Sequence, residues 1–258
     1  MQGCIALSAA LGGVGLGTVS AGLALSLSDQ GLRVALVDAN AFSPSADLFF
    51  DFQEKVLYTF SDIVSGVSPE RVAFEVKEGL FVFPSSAGMP LEGDLAGAIR
   101  AIQRELSPDV LLIETPLSLL PCFSSVISTA VLVSSPEERA LRASEAAAES
   151  LALLPSVGKY LLLNKTASFK EDLLEEAPLL SIVDRIALPL LGVCPREYER
   201  SALSLTGKKQ KSSNFKKAMK NVAVRLLGGR VPLLQGLTLD GFNRRHYIER
   251  AERAPIDP

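Results

Sequence analysis

The chain has 258 residues, 48% of them hydrophobic, with 26 basic and 29 acidic side chains and a formal charge of −3. That is enough chain to bury a sizeable core, and too apolar for a disordered segment. No apolar run reaches the ~20 residues that span a bilayer, and three widely spaced cysteines fit neither a disulfide framework nor a zinc cluster.

Apolar runs alternate with helical patterns along the chain. Strands are expected at 4–10 (CIALSAA), 33–40 (RVALVDAN), 79–86 (GLFVFPSS), 109–116 (DVLLIETP), 129–136 (TAVLVSSP), 158–166 (GKYLLLNKT) and 185–193 (RIALPLLGV). Helical spacing occupies 18–30, 92–106, 137–154 and 170–182 between them. Strands that are apolar throughout must be covered on both faces. The expected fold is therefore α/β, a doubly wound and mostly parallel sheet with helices on both sides. Cys4, Cys122 and Cys194 each lie among apolar, strand-like residues and are expected to be buried free thiols. The short Gly/Pro/Ser clusters read as turns, so residues 1–232 form one domain, followed by a tail at 233–258. The first 25 residues are apolar but carry no basic leader and are broken by glycines, which predicts no signal peptide and a cytoplasmic location.

Charge is unevenly placed. Residues 1–195 carry 12 basic and 23 acidic side chains, whereas residues 196–258 carry 14 and 6. Within the basic quarter, Phe215, Met219, Val222, Ala223 and Leu226 follow helical spacing, with Lys216, Lys217 and Lys220 largely opposite. An apolar stripe docked on the sheet and a basic surface for nucleic acid or anionic lipid are the two readings. His246, the one histidine, lies in the polar tail and reads as a surface residue.

The stretch LGGVGLGT, Leu11 to Thr18, joins the first strand to the first helix. In that context a phosphate-binding loop presents backbone N–H groups to an anion, and the helix N-terminus adds about half a positive charge. Gly12, Gly13, Gly15 and Gly17 keep the backbone for it. The lysine that reaches the β- and γ-phosphates and the hydroxyl that holds Mg²⁺ are missing, because Leu16 and Gly17 stand in their places.

These residues resemble the MinD/ParA group of P-loop ATPases, and within it the MinD branch, which positions the bacterial division site. The family's deviant loop, KGGVGKTT, aligns with LGGVGLGT without a gap. The likeness continues, in order, through GLRVALVDANAFSPSADLFF, VLYTFSDIVSG, GLFVFPSS, DVLLIETP, LLLNK, LPLLGVCPRE and FKKAMKNVAVRLLG, over roughly residues 3–232. What the resemblance implies is a P-loop fold whose nucleotide contacts fall on Gly12, Gly13, Val14, Gly15, Leu16, Gly17, Thr18 and Asn164, the last at the adenine-recognising position; by themselves the glycines read equally as a tight strand-to-helix connection, and Asn164 with Lys165 as turn chemistry. It also implies a damaged centre. Leu11 replaces the signature lysine that crosses to a partner's nucleotide, Leu16 the loop lysine, and Asn40 the aspartate associated with hydrolysis. Asp38 is kept in the switch segment, Glu114 stands for the Walker B aspartate and Ser118 for the glycine that follows it. Asp38 and Glu114 are the candidate metal ligands, although each also reads as an ordinary polar residue at a strand end.

A charge-assisted contact to phosphate is worth ~1.5–3 kcal/mol, so losing two lysines and a metal ligand removes several. That is about three powers of ten in affinity. The expectation is a pseudo-ATPase that serves as a binding or regulatory module in cell-division or positional organisation. No cofactor is assigned beyond weak ATP or ADP, with Mg²⁺ only if nucleotide binds. Protein partners, a second copy or an intact family member, are expected. The alternatives are a divergent but working ATPase that switches between monomer and dimer, and a DNA-associated ParA-like protein. The tail offers only Phe242 and Ile248, with Tyr247, as apolar anchors, too few for the membrane-binding helix of the MinD branch.

Overall fold

The computed structural model describes residues 3–88, 90–154, 157–166, 179–196 and 214–237. The strands are β1 (Gly3–Ser8), β2 (Val34–Asp38), β3 (Phe74–Lys77), β4 (Leu80–Phe83), β5 (Val110–Glu114), β6 (Thr129–Ser134), β7 (Gly158–Thr166) and β8 (Leu190–Pro195). They form one sheet in the order β3-β4-β2-β5-β1-β6-β7-β8. Every neighbouring pair is parallel except β3 with β4, so the sheet is mostly parallel, as its apolar runs predict. The helices are α1 (Leu16–Ser28), α2 (Ala46–Phe50), α3 (Phe60–Val64), α4 (Pro69–Val72), α5 (Leu95–Leu106), α6 (Glu138–Ala152), α7 (Leu179–Ile186) and α8 (Asn214–Leu226).

Alternation along each strand divides the core into two. Ala35, Val37, Leu111, Ile113, Ala130 and Leu132 face α3, α5, α6 and α7, whereas Leu36, Leu112, Val131 and Val133 face α1, α2 and α8. Strands buried on both sides need apolar residues at every position, which is why the period-two signal is absent from the sequence. Asp94 starts α5 by accepting a 2.7 Å hydrogen bond from Gly97 N, satisfying one of the open N–H groups of the first turn.

Three expectations need correction, and a fourth lies mostly outside the described residues. Cys4 and Cys194 are buried, but Cys122 is exposed, because it lies in a 3-10 segment after β5 and not in a strand. The expected strand at 185–193 begins later: Arg185 and Ile186 close α7, and pairing starts at Leu190. Apolar residues serve both a helix face and a buried strand, so composition alone does not place that boundary. β3 has no counterpart in the expected set, since at the sheet edge partly buried Phe74 and Val76 alternate with exposed Glu75 and Lys77 and give no apolar run. Of the expected helix at 170–182, residues 170–178 lie outside the described residues, and helix is present from Leu179.

On α8, Met219, Val222 and Ala223 are buried, and Phe215 and Leu226 pack on the same core, as the helical spacing predicts. Lys216 forms an ion pair with Asp29 at 3.4 Å, and Lys77 approaches the same carboxylate. The basic face is thus partly neutralised by its neighbour. Lys208, Lys209, Lys211 and the tail with Phe242, His246, Tyr247 and Ile248 lie outside the described residues. Duplex DNA is expected to bind weakly and non-specifically near 0.15 M salt; gel shifts across a salt series check this, and submicromolar binding lost when the α8 lysines become glutamates would overturn it. No helix among the described residues is long and apolar enough to cross a membrane.

Candidate functional site

The C-terminal ends of β1, β2, β5 and β7 meet at one edge of the sheet, where open α/β folds bind ligands. β1 ends at Ser8, and the chain turns through residues 9–15 into α1. Gly13 (φ 83°) and Gly15 (φ 87°) adopt the left-handed conformation that glycine tolerates best. Gly15 is held for a second reason. A Cβ there would come within 2.5 Å of Asn164 Nδ2. Gly12 and Gly13 are exposed, Val14 is buried, and Thr18 is partly buried in the first turn of α1.

Leu11 and Leu16 do not project into an open anion site. Both are partly buried and packed against the core beneath α1. Where a lysine would present an ammonium to phosphate, this chain adds apolar surface to its own core.

Asn164, at the end of β7, is buried, and its Nδ2 donates to Val14 O at 2.9 Å. The next residue, Lys165, has a positive φ of 57°, uncommon for a residue with a side chain, and its Nζ donates to Gly13 O. Together they fasten β7 to the loop through two consecutive carbonyls. Asn164 thus has a structural use that its expected adenine contact would have to share. The contribution of Lys165 is not apparent from spacing, although it follows directly on the asparagine in LNK.

Asp38 closes β2 with its carboxylate turned back onto the chain. Oδ1 accepts from Asn40 N at 2.9 Å, and Oδ2 accepts from Ser45 N and Ala46 N at 2.9 and 3.1 Å. It thus serves as a cap for α2 from outside that helix. On the adjacent strand, Glu114 is the register partner of Asp38, and both are almost completely buried. Burial, reinforced by the charge of Asp38, pushes the Glu114 carboxyl well above its ordinary range, while the side chains of Ser20 and Asn40 pull it back in part. Burial likewise raises Asp38 to about 6, against the three backbone N–H groups that favour its charged form. Ser118 is exposed in the 3-10 segment beyond β5 and joins neither carboxylate in a described hydrogen bond.

Gly17 is in contact with another part of the chain. A Cβ at this position would overlap Ser45 Oγ and lie 2.9 Å from Phe49 Cε2. Ser45 Oγ is buried and has no hydrogen-bond partner. The volume that a threonine would fill at the head of α1 is occupied by α2 and the residue before it. Sequence spacing did not single out Ser45 or Phe49; the available signal was a serine directly ahead of the helical ADLFF.

These side chains offer little to a magnesium ion, which takes a near-octahedral set of oxygens, one or two from carboxylates and the rest from water or phosphate. Three of the four lone-pair positions of Asp38 are taken by backbone N–H groups, and Gly17 offers no hydroxyl, which leaves Glu114 as the one carboxylate beside it without such bonds.

A family model described as ParA, NUBPL iron-transfer P-loop NTPase, matches residues 1–78. The septum site-determining protein MinD of Thermotoga maritima is 27% identical over 252 residues, covering 90% of this chain and 91% of that protein. The chain is thus similar to a ParA-type P-loop model over its first 78 residues and to MinD proteins over most of its length. Its fold matches that of MinD in the MinC:MinD cell division complex of Aquifex aeolicus, with TM-score 0.77, 20% identity, and coverage of 90% of this chain and 98% of that one. It also matches MinD of Pyrococcus horikoshii complexed with Mg-ADP, with TM-score 0.75, 22% identity, and coverage of 89% and 98%. The similarity to septum site-determining proteins spans the strand ends and the loop described above.

Proposed function

We propose that this chain is a MinD-like P-loop domain, spanning residues 1–232, that has lost nucleotide hydrolysis and acts in the cytoplasm as a binding or regulatory partner in division-site or positional organisation. The observation that carries the reading is the fate of the loop positions: Leu11 and Leu16 pack on the core, and Gly17 is covered by Ser45 and Phe49. Phosphoryl transfer depends on positioning and on charges aimed at the transition state. Neither leucine supplies such a charge. Gly12, Gly13 and Gly15 leave backbone N–H groups for weak binding of ATP or ADP, with Asn164 beside them.

A protein partner is supported by two exposed apolar side chains, Phe42 (80% exposed) and Leu48 (43% exposed), on the segment that follows Asp38. MinD of A. aeolicus is found in a complex with MinC. A partner here is a second copy, an intact family member or another protein of the same system.

Titration calorimetry with ATP and Mg²⁺, alongside a steady-state turnover assay, tests the reading. The expected result is no turnover above background, with any nucleotide affinity about a thousandfold below that of a P-loop with both lysines. Light scattering is expected to give the same mass with and without Mg-ATP. Sustained turnover removed by Gly13→Val, or a dimer that forms only with ATP, would establish the working-ATPase alternative instead.

A further inference from the structure

The segment that follows β2, residues 40–50, is tied down at several points. Asp38 holds its start through Asn40 N and its middle through Ser45 N and Ala46 N. Gly88 N donates to Ala41 O at 2.9 Å, joining it to the loop after β4. Ala46, Phe49 and Phe50 are buried in the core shared with α1. Ser45 and Phe49 close onto Gly17, where any side chain would collide with them. On the other side of the loop, Asn164 and Lys165 hold the carbonyls of Val14 and Gly13.

From these contacts we infer that residues 40–50 form a fixed strap, seated on the first turn of α1 through the Gly17, Ser45 and Phe49 contact, which holds the chain in one conformation whether or not nucleotide is present. The inference deepens the function proposed above by naming what keeps the loop from acting as a switch. A nucleotide shifts an equilibrium only by its differential affinity for two states. Here the second state would have to unseat two phenylalanines and break the bonds to Asp38, and the loop has no lysine with which to reward that change. Gly17 is what permits the seating: a glycine in a helix is ordinarily the weaker choice than alanine, so its presence here answers to the close approach of α2.

The test is a double-mutant cycle on the full chain, read by amide hydrogen exchange over residues 40–50 and by melting temperature. At an open helical position Gly17→Ala raises stability. For the strap it is expected to do the opposite, speeding exchange over residues 40–50 at least tenfold and lowering the melting temperature. Ser45→Ala removes a hydroxyl that bonds to nothing, so alone it is expected to leave both readings close to those of the unmodified chain. Combined, Gly17→Ala and Ser45→Ala are expected to recover most of the protection lost in Gly17→Ala, the non-additivity of touching residues. In the unmodified chain, millimolar Mg-ATP is expected to leave exchange over residues 40–50 unchanged. The strap is overturned if Gly17→Ala protects the segment or leaves it unchanged, if the double variant is no better than Gly17→Ala alone, or if Mg-ATP alters the exchange. The function proposed above fails separately, on turnover: a silent Gly17→Ala in a chain without turnover removes the strap and leaves that reading in place.

Discussion

Raising the pH from 5 to 8 is expected to lower the melting temperature, and Glu114→Gln to remove the share of that fall that comes from Glu114. Glu114 and Asp38 are register partners on adjacent parallel strands, both buried, and both have carboxyls raised above their ordinary range, chiefly by burial. A carboxyl raised in the folded state binds its proton more tightly there than in the unfolded chain. Its contribution is therefore complete below the unfolded pKa, near 4, and is lost as the pH rises through the folded value. For Asp38 the displacement from 3.8 to about 6 corresponds to on the order of 3 kcal/mol, and Glu114 extends the loss to higher pH. The opposite sign holds for Glu138, which Arg185 and Arg142 pull down to about 2; its contribution is present above the ordinary glutamate range and lost only in strong acid. The stability contributed by the two buried carboxyls should therefore be highest near about pH 4 and fall above it. Glutamine keeps the shape of Glu114, cannot ionise, and relieves the repulsion on Asp38. Thermal melts from pH 5 to 8 should find Glu114→Gln close to the unmodified chain at pH 5 and several degrees above it at pH 8. Parallel pH profiles for the two proteins would show that the pair does not govern the dependence.

The second large effect is expected at the crossing of α1 and α8. A Cβ at Gly22 would lie 2.6 Å from Phe215 Cε1, 2.7 Å from Phe215 Cζ and 3.1 Å from Met219 Cγ. α8 packs against β8 and α1 together, so a side chain at Gly22 must push it away from both. Gly22→Leu is expected to cost about 2–3 kcal/mol through overpacking, despite the better helix propensity of leucine. In a chain of this size that is a fall of about 5–10 °C in melting temperature. Urea unfolding, with exchange measured over α8, provides the check. The loss should appear with fast exchange over residues 214–226, and an unchanged midpoint would mean that the two helices have room to separate.

Both expectations rest on neighbours far apart in the chain, and this separates what was legible in the sequence from what was not. Continuous apolar runs at 4–10, 33–40 and 109–116 indicate strands covered on both faces, and glycines directly after the first of them indicate a strand-to-helix loop. These are local signals, because burial on two sides and a left-handed turn each restrict the residues at one place. The identity of Leu11, Leu16 and Gly17 likewise shows that these three positions carry neither charge nor hydroxyl. By contrast, the apolar stretch running from α7 into β8 was divided by packing and not by composition.

The same holds within the site. That Asp38 spends its oxygens on Asn40, Ser45 and Ala46, and that Glu114 lies beside it with no described cation to offset the pair, follow from strand order and register. That Ser45 and Phe49 fill the space at Gly17, and that Asn164 and Lys165 hold the loop from β7, follow from how α2 and the strand ends close on α1. The sequence by itself determined which side chains this loop carries, since a side chain's charge is a local property. Only the tertiary structure decided what occupies the vacated space and how the two remaining carboxyls titrate, since volume and electrostatics belong to residues brought together by the fold.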